Sequence, residues 1–522
     1  MTRTTPTGTA PAQSLPSQSS LVGPTSQSDS PSNVIDLTPW LGEGSAVRVQ
    51  KSVREPAGAF SISFVDELMN LPDSLYTLIE PMDLIEIRFA GDAYKYAGAA
   101  GQQLPIIMRG FVSDVERDQR MSADGKPQRI VSVTGHDYQK ILQLIQIFNT
   151  SCTPDVANAI SSFPLFSKYG EELNVMSTTQ FVLHVLSLIV NPYIAGMQQA
   201  SATSGAALDL IAADVQVPDA LVSVQLGAFN NGTVQQLLEE YLDVGPFNEF
   251  FIEDRDAGSW GPAGPYAVYR PMPLVDPIQK QGLQPIQSSV TTGVLPGSPI
   301  KTTLDTDNST VPAANVVTIQ SDSIISINAR RSDAGVANYY FVDAPRFSMN
   351  YDYLTREYAT YATQQGAIPF YITDYGNVNP KLYGLRKMQV QTQQGSKLET
   401  NSGNGTAAGE ARSNNQGYFL QWIDNRRNLL IALNRDNVVL ESGAIHLRGN
   451  EKIRAGTYVQ ISYGNGLQSL YYAYSVTHVY EPYGSYLTEV EYDRGTNFVD
   501  RLTAAQGSGS PYFAEMLPPG GQ

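Results

Sequence analysis

Residues 83–89 read DLIEIRF, and residues 457–463 read TYVQISY. Each stretch largely alternates between apolar and polar side chains, and Ile85 meets Val459 when one is laid over the other. Alternation with a period of two is typical of a half-buried β-strand. Two such similar strands, far apart in one chain, predict that a β-rich unit occurs twice.

The strands that follow these two stretches repeat in the same order. Residues 109–115, RGFVSDV, can be laid over residues 473–479, AYSVTHV, and residues 131–134, VSVT, over residues 488–491, TEVE. A DG dipeptide at residues 124–125 is the hairpin signal of the first region. Alternation predicts further strands at residues 46–53, 58–65, 247–253, 266–270, 316–329 and 443–447.

A helical period separates the two β regions. Apolar residues fall on one face of a helix after residue 137 and again over residues 233–242, and a further helical stretch is predicted at residues 414–434. The sequence therefore predicts an α+β fold, predominantly β. We expect two small antiparallel β-barrels with helical segments between them and extended terminal arms.

Six segments follow from these patterns. They are an extended N-terminal arm at residues 1–33, a first β-barrel at 34–136, a helical domain at 137–245, a second β-barrel at 246–345 together with 436–500, a helical or loop insertion at 346–435 and a C-terminal arm at 501–522. The N-terminal arm is rich in Ser, Thr, Pro and Gln, so it cannot bury enough apolar surface to order itself. We expect partner chains to hold it.

Composition excludes several classes of protein. The chain has 522 residues and a net charge of -16, which argues against a stable nucleic-acid-binding surface, because neutralising phosphates requires clustered Lys and Arg. Cys152 is the only cysteine, so no disulfide forms within the chain. The apolar run at residues 181–190 is too short to cross a bilayer, and residues 1–10 do not resemble a signal peptide. We expect no stable membrane insertion.

Motifs for chemistry are weak throughout the sequence. It contains neither a Gly-x-Ser-x-Gly elbow nor a phosphate-binding Gly-Lys-Ser/Thr loop. Residues 305–309, DTDNS, begin like a calcium loop, but Thr310 and Val316 stand where Gly and Glu are needed. The carboxylates of residues 253–256 are attributed to a hairpin end, and each of the four histidines to a structural role. We expect no catalytic, cofactor-binding or metal-binding residues, no cofactor and no enzyme activity.

The order of several short motifs resembles a known family. Residues 248–255, NEFFIEDR, precede residues 266–273, YAVYRPMP, as an Asn-Glu strand precedes an Arg-Pro-x-Pro strand in the hub proteins of contractile phage tails. Those proteins are related to the hub portion of type VI secretion spike proteins, and the resemblance spans roughly residues 34–500. The matching structural positions are Arg109, Gly110, Gly135, His136, Asp137, Asn248, Glu249, Arg270, Pro271, Pro273, Tyr383, Gly384, Arg386, His478, Arg494 and Gly495. His136 stands where relatives often carry Arg.

The resemblance implies a structural role in the tail baseplate. It implies a homotrimer whose two tail-tube-like barrels per chain make a pseudo-six-fold ring, which joins the hexameric tail tube to the trimeric central spike. The implied partners are a tail tube or tube-initiator protein, the spike, baseplate wedge proteins and a tape-measure protein, with DNA only in transit during ejection. The implied location is the virion, after synthesis in the host cytoplasm.

Two other functions stay open from the sequence. Some baseplate components are cell-wall hydrolases, and loops of this length have room for a lytic site. A peripheral receptor-binding virion protein would also be rich in β-structure and tyrosine, and this chain has 29 tyrosines.

Overall fold

A computed structural model shows the architecture of the chain. It describes residues 34–65, 75–92, 96, 103–121, 125, 127–148, 174–200, 208–216, 221–224, 231–256, 262–272, 301–302, 315–343, 378, 380–392, 394–395, 426–427, 430–431, 433–434, 437–464 and 467–496. Both predicted arms, Cys152, Pro273, the calcium-like segment and most of the predicted insertion lie outside these residues.

The described structure is predominantly β, as predicted. The strands are β1 (Ala46–Ser52), β2 (Ala59–Val65), β3 (Leu84–Arg88), β4 (Ile106–Met121), β5 (Pro127–Asp137), β6 (Gln146–Phe148), β7 (Asn174–Ser177), β8 (Ala212–Val215), β9 (Leu221–Val224), β10 (Asn231–Thr233), β11 (Asn248–Arg255), β12 (Gly264–Pro271), β13 (Lys301–Thr302), β14 (Val316–Gln320), β15 (Ile324–Arg330), β16 (Tyr339–Asp343), β17 (Lys387–Gln391), β18 (Gln394–Gly395), β19 (Glu441–Arg448), β20 (Thr457–Gly464), β21 (Leu467–Tyr480) and β22 (Tyr486–Thr496). The helices are α1 (Leu75–Leu78), α2 (Gln139–Leu144), α3 (Thr178–Val185), α4 (Asn191–Ala200), α5 (Val234–Tyr241) and α6 (Pro380–Tyr383), with a π-helical turn (Leu186–Val190) between α3 and α4 and 3-10 helices at Thr38–Trp40 and Ser321–Ser323.

Local sequence accounts for most of these elements. In β2, Phe60, Ile62 and Phe64 are buried on one face, while the residues between them are more exposed. Helix α5 begins at a capping box in which Thr233 and Gln236 satisfy each other's backbone amides.

The largest sheet contains two five-stranded units with the same strand order. The first is β1-β2-β5-β4-β3, and the second is β15-β19-β22-β21-β20. The register also repeats, since Ile62 lies opposite Val133 in the first unit as Ile445 lies opposite Val490 in the second. Each unit has its own apolar core, and these four residues lie at equivalent places in the two cores. The predicted duplication of the strands is therefore present in the structure.

A bulge at the same place in both units fixes the alignment of the middle strands. The register of β4 with β5 shifts between Val112 and Asp114, and that of β21 with β22 shifts between Ala473 and Ser475. Val112 therefore corresponds to Ala473. The alignment expected from sequence placed Val112 over Val476, three residues too far along, because alternation alone does not mark the bulge.

The two units are joined edge to edge instead of standing apart. The first half of β21 pairs with β20, and its second half pairs with β1, with Val49 opposite His478. Hydrogen-bonding groups at the edge of β1 are thereby used in the joint. The described pairings end on β3 at one side and on β15 at the other, and none of the described sheets closes on itself. The antiparallel sheets agree with prediction, while the two barrels are not confirmed.

A second sheet lies between the helices and the second unit. Its order is β11-β12-β8-β13, with Phe250 opposite Tyr269 in the β11–β12 hairpin. The sequence assigned this hairpin to the second barrel, but the structure places it in a sheet of its own. The reason is that the hairpin is buried on both faces: Phe250 packs in the helical core, and Phe251 packs against the second unit.

The region between the β units mixes helices with short strands. Helices α2, α3, α4 and α5 pack in one core with Ile252, whereas β6 and β10 form one small sheet and β7, β9 and β18 another. Residues Thr178–Met197 form a helix of 20 residues that is long and apolar enough to cross a membrane, and half of its most apolar window is buried within the protein. It is longer than the ten-residue apolar run considered in the sequence, and its buried side chains, such as Phe181 and Val190, face the core.

Candidate functional site

The two β units meet the sheet β11-β12-β8-β13, which we call the central sheet, at one place, which we call the central junction. Its apolar part includes, besides Leu433, one residue that follows β1, two from the central sheet and three from the second unit. These are Val53, Phe251, Val268, Tyr458, Leu470 and Tyr472. Side chains from all three parts share this cluster, so it holds the units at a fixed orientation.

A buried ion pair within the β11–β12 hairpin also makes hydrogen bonds to the second unit. Arg270 donates to Glu249 at 3.0–3.1 Å, and both side chains are less than 10% exposed. The Arg270 guanidinium also donates to the carbonyl oxygen of Gly456 at 2.7 Å, and the Tyr472 hydroxyl donates to Glu249. Burial lowers the pKa of Arg270, but Tyr472 and Glu249 outweigh it and hold the pKa above its usual value. The pair is therefore a charged anchor between sheets.

A second cluster links the first unit to the same hairpin. The Nζ of Lys51 lies 2.5 Å from Asp254 and 3.5 Å from Asp137, and both carboxylates are almost fully buried. Burial is the largest influence on the pKa of Asp137 and raises it to about 6, although Lys51 opposes the shift. For Lys51, the neighbouring carboxylates outweigh burial and raise the pKa. The ammonium group of Lys51 thus interacts with two carboxylates at once.

Two arginines extend this cluster along the first unit. Arg454 donates to the carbonyl oxygen of Ile106 at 2.7 Å and to that of Asp254. Arg109 pairs with Glu86 at 2.7 Å and with Asp209. These contacts connect β3 and β4 with the turn before β20 and with the segment before β8.

His478 is held as a neutral imidazole beside the junction. Its Nε2 lies 3.1 Å from the carbonyl oxygen of Ile453, and its Nδ1 lies within 3.1 Å of the hydroxyls of Thr488 and Tyr486. A carbonyl only accepts, so Nε2 carries the proton and Nδ1 accepts. Burial lowers the pKa of His478 to about 4. These bonds give His478 the structural role that the sequence indicated.

The junction contains a small cavity. The cavity has a volume of about 30 Å³ and is lined by Lys51, Asp137, Asp254 and His478 among others. This space holds a water molecule or two, not a substrate. Within the described parts of the chain, no group of three or more His, Cys, Asp or Glu side chains could hold a metal ion.

Several sequence-predicted positions lie next to the junction. Asn248 is buried and donates to the carbonyl oxygen of Leu242 at 2.8 Å, and Pro271 lies opposite it on β12. Gly110 lies opposite Asp137, where a side chain would collide with the carbonyl group of His136. His136 itself is exposed, so the ion pair at this corner is made by the residue after it.

Other predicted positions form a separate cluster. Arg386 donates to the Asp333 carboxylate at 2.7 Å, and its backbone amide donates to Asn338 at 2.9 Å. Asn338 in turn donates to the carbonyl oxygen of Gly384, and Arg386 donates to that of Tyr383. The structure thus joins the predicted positions Tyr383, Gly384 and Arg386 to Asp333 and Asn338, which lie about fifty residues earlier in the chain.

The last predicted positions lie at the end of β22. Arg494 donates to the carbonyl oxygen of Leu433 and, at 3.3 Å, to Asn434, while Gly495 lies under the ring of Tyr471.

Sequence reasoning missed four residues of the junction. Lys51, Arg454 and Tyr472 gave no signal, because single charged or aromatic residues on strands and turns are common. Asp254 was noticed in the EDRD run and assigned to a hairpin end, which is its place, but it is 1% exposed and paired with Lys51. The sequence signal that could have identified Asp254 was a carboxylate at a strand position that faces inward.

Comparison with known proteins gives structural neighbours only. No family model matches the sequence. No curated protein matches it either. A tail protein from Neisseria meningitidis MC58 is 11% identical, with 88% of this chain and 94% of that chain covered and a TM-score of 0.39.

Two further solved structures are similar to the chain. The 43 kDa tail protein of prophage MuSo2 from Shewanella oneidensis is 12% identical, with 87% of this chain and 94% of that chain covered and a TM-score of 0.38. The E. coli c3393 protein is a type VI secretion component described as structurally similar to the T4 tail proteins gp27 and gp5. It is 8% identical, with 86% and 74% covered and a TM-score of 0.32. These neighbours are tail and secretion proteins.

Proposed function

We propose that this chain is the structural central hub of a phage tail baseplate. Three copies form a ring of six β units, which joins a hexameric tail tube on one side to a trimeric spike on the other. The protein has no catalytic role in this assembly, and wedge and tape-measure proteins bind around it.

One observation carries the proposal, namely the two five-stranded units with the same order, register and bulge. A closed interface needs equal numbers of matching surfaces, so three chains meet six tube subunits only if each chain offers two equivalent units. The β1–β21 joint and the charged pairs of the central junction hold the two units in a fixed relation, as a ring requires.

The charge of the chain fits the passage of DNA. A net charge of -16 repels phosphates, so DNA would pass through the ring without binding to it. A ring lumen lined with Lys and Arg would contradict this part of the proposal.

The test is the oligomeric state of the purified chain. Light scattering should give three copies, and negative-stain images should show a ring with an axial hole; a monomer would overturn the proposal. Peptidoglycan clearing in a zymogram would favour a cell-wall hydrolase instead, and binding of the isolated protein to host cells would favour a receptor-binding protein.

A further inference from the structure

The open strand edges of the large sheet, among the described residues, include those of β15 and of the second half of β4. Strand β15 pairs with β19 on one side only, and its residues 325–330 are exposed. The second half of β4, residues 113–121, pairs with β5 on one side, while β3 covers only the first half of β4 on the other. Open edges present unpaired backbone groups that readily add another strand.

The repeat shows which strand fits which edge. Within the chain, the second half of β21 pairs with β1. Strand β21 corresponds to β4, since Ala473 corresponds to Val112 at the bulges. Strand β1 corresponds to β15, because each is the outer neighbour of an equivalent strand, β2 or β19. The β1–β21 joint therefore has a counterpart, β15 with the second half of β4, that no pair of described strands makes within one chain.

The register of this counterpart follows from the same correspondence. Val47 lies opposite Tyr480 in the joint; Val47 corresponds to Ile327, and Tyr480 corresponds to Gln119. Ile327 is thus placed opposite Gln119, with the strands antiparallel. The joint begins at Val47 and has no bulge, and β15 shifts register only before Ser326, so the transferred register runs from Ile327 opposite Gln119 to Arg330 opposite Glu116.

The side chains that this register brings together are complementary. Arg330 faces Glu116, which gives an opposite-charge pair across the strands. Ile327, which is 40% exposed in the single chain, faces Gln119, and Ile325 and Met121, which are 60% and 70% exposed, lie at the same end of the contact. The contact would cover apolar side chains that a soluble protein otherwise leaves in water.

We infer that β15 of one copy adds to the edge of β4 residues 113–121 in a second copy, with Ile327 opposite Gln119 and Arg330 opposite Glu116. The inference rests on the proposed homotrimer and specifies its subunit contact. Each copy gives one β15 and one β4 edge, so the contact is head to tail and forms a ring when the rotation closes. Around the ring of six units, the β1–β21 joint within each chain then alternates with the β15–β4 contact between chains.

Cysteine pairs test the register directly. In the joint, the amide of Val53 donates to Tyr474, so hydrogen-bonded pairs recur at every second position, and the transferred register places Asn328 and Asp118 at a non-hydrogen-bonded pair. Side chains approach most closely there, with Cα atoms about 4.5 Å apart, within reach of a disulfide. In a Cys152→Ser background, Asn328→Cys with Asp118→Cys should give disulfide-linked trimers after mild oxidation.

The matched control moves one cysteine by one residue. Asn328→Cys with Gln119→Cys points the two thiols to opposite faces of the sheet and should give no linked species. If the wild type is a trimer and neither pair links, the edge contact is wrong while the proposed trimer stands. If the pair links into open-ended ladders, the contact is right and the trimer is wrong. A wild-type monomer without links overturns both.

A charge exchange adds a test that does not depend on cysteines. Glu116→Arg should lower the fraction of trimer in light scattering at low salt, and adding Arg330→Glu should restore it. Circular dichroism identical to that of the wild type excludes misfolding as the cause. Equal trimer fractions in all three proteins would overturn the pairing of these two residues.

Discussion

Gly135 lies directly opposite Phe60, and the ring of Phe60 fills the space that a side chain at position 135 would occupy. At the corresponding place in the second unit, Gly443 lies opposite Tyr492, so the glycine and the aromatic residue have exchanged strands. In both units an aromatic side chain covers a glycine on the neighbouring strand. The pairing of an aromatic residue with a glycine is thus kept, although the strand that carries each of them differs between the units.

Replacing Gly135 should destabilise the first unit. A Cβ at position 135 would lie 2.6 Å from Cε1 of Phe60 and closer still to the carbonyl oxygen of Phe111. We expect Gly135→Ala to lower the free energy of unfolding by about 2 to 3 kcal/mol, because the core cannot yield without moving backbone. Urea titration at one fixed protein concentration measures the change.

Gly196 provides the matched control. It lies in α4, and a Cβ at this position would have no neighbouring atom within 4 Å. Gly196→Ala should leave stability unchanged or raise it by up to about 1 kcal/mol, because alanine is the better helix former. Equal losses from the two substitutions would contradict the proposed role of the Phe60 ring.

Removing the negative charge of the buried pair should be costly. Glu249→Gln leaves Arg270 charged and buried beside Tyr472 without its counter-ion. We expect the free energy of unfolding to fall by about 3 to 5 kcal/mol, as is usual when one partner of a buried pair is removed. The exposed pair of Arg54 and Asp493, 2.7 Å apart, is the control. Asp493→Asn should cost less than about 1 kcal/mol, and a loss as large as that of Glu249→Gln would argue against the anchor.

Asp137 should make the protein less stable as the pH rises. Its pKa is about 6 in the folded chain and about 3.9 when unfolded, so the folded state binds the proton more tightly between those values. Relative to Asp137→Asn, the wild type should lose about 2 kcal/mol of unfolding free energy between pH 4 and pH 7. Denaturant titrations at several pH values test this. A wild type that gains stability over the variant across this range would show that Lys51 outweighs burial.

His478 should act in the opposite direction. Burial lowers its pKa to about 4, below the value of about 6.5 in an unfolded chain. Its stabilising contribution is complete above pH 6.5 and is lost as the pH falls towards 4. His478→Gln keeps a donor for the carbonyl oxygen of Ile453, so its deficit relative to the wild type should shrink by about 3 kcal/mol from pH 7 to pH 4. A deficit that does not vary with pH would mean that folding does not lower the pKa of His478.

The sequence predicted which residues form strands better than it predicted how those strands align and which side chains they contact. Ile85 and Val459 were correctly placed at equivalent strand positions, because side-chain alternation is a local property. The bulge after Val112 was missed, since an extra residue in one strand leaves no trace in that strand's composition. The motif glycines and charges were found, but their contacts were not.

The sequence by itself determined that the chain is predominantly β and that a set of strands occurs twice, because burial of one strand face dictates a period of two wherever the strand lies. Only the tertiary structure decided that the two units share one sheet through β1 and β21, and that Lys51 meets Asp254, 203 positions away. The backbone groups along a strand edge are the same at every residue, so they do not specify which strand pairs there. A buried charge likewise does not specify which opposite charge pairs with it. The packing of the whole chain therefore selects the partner in both cases.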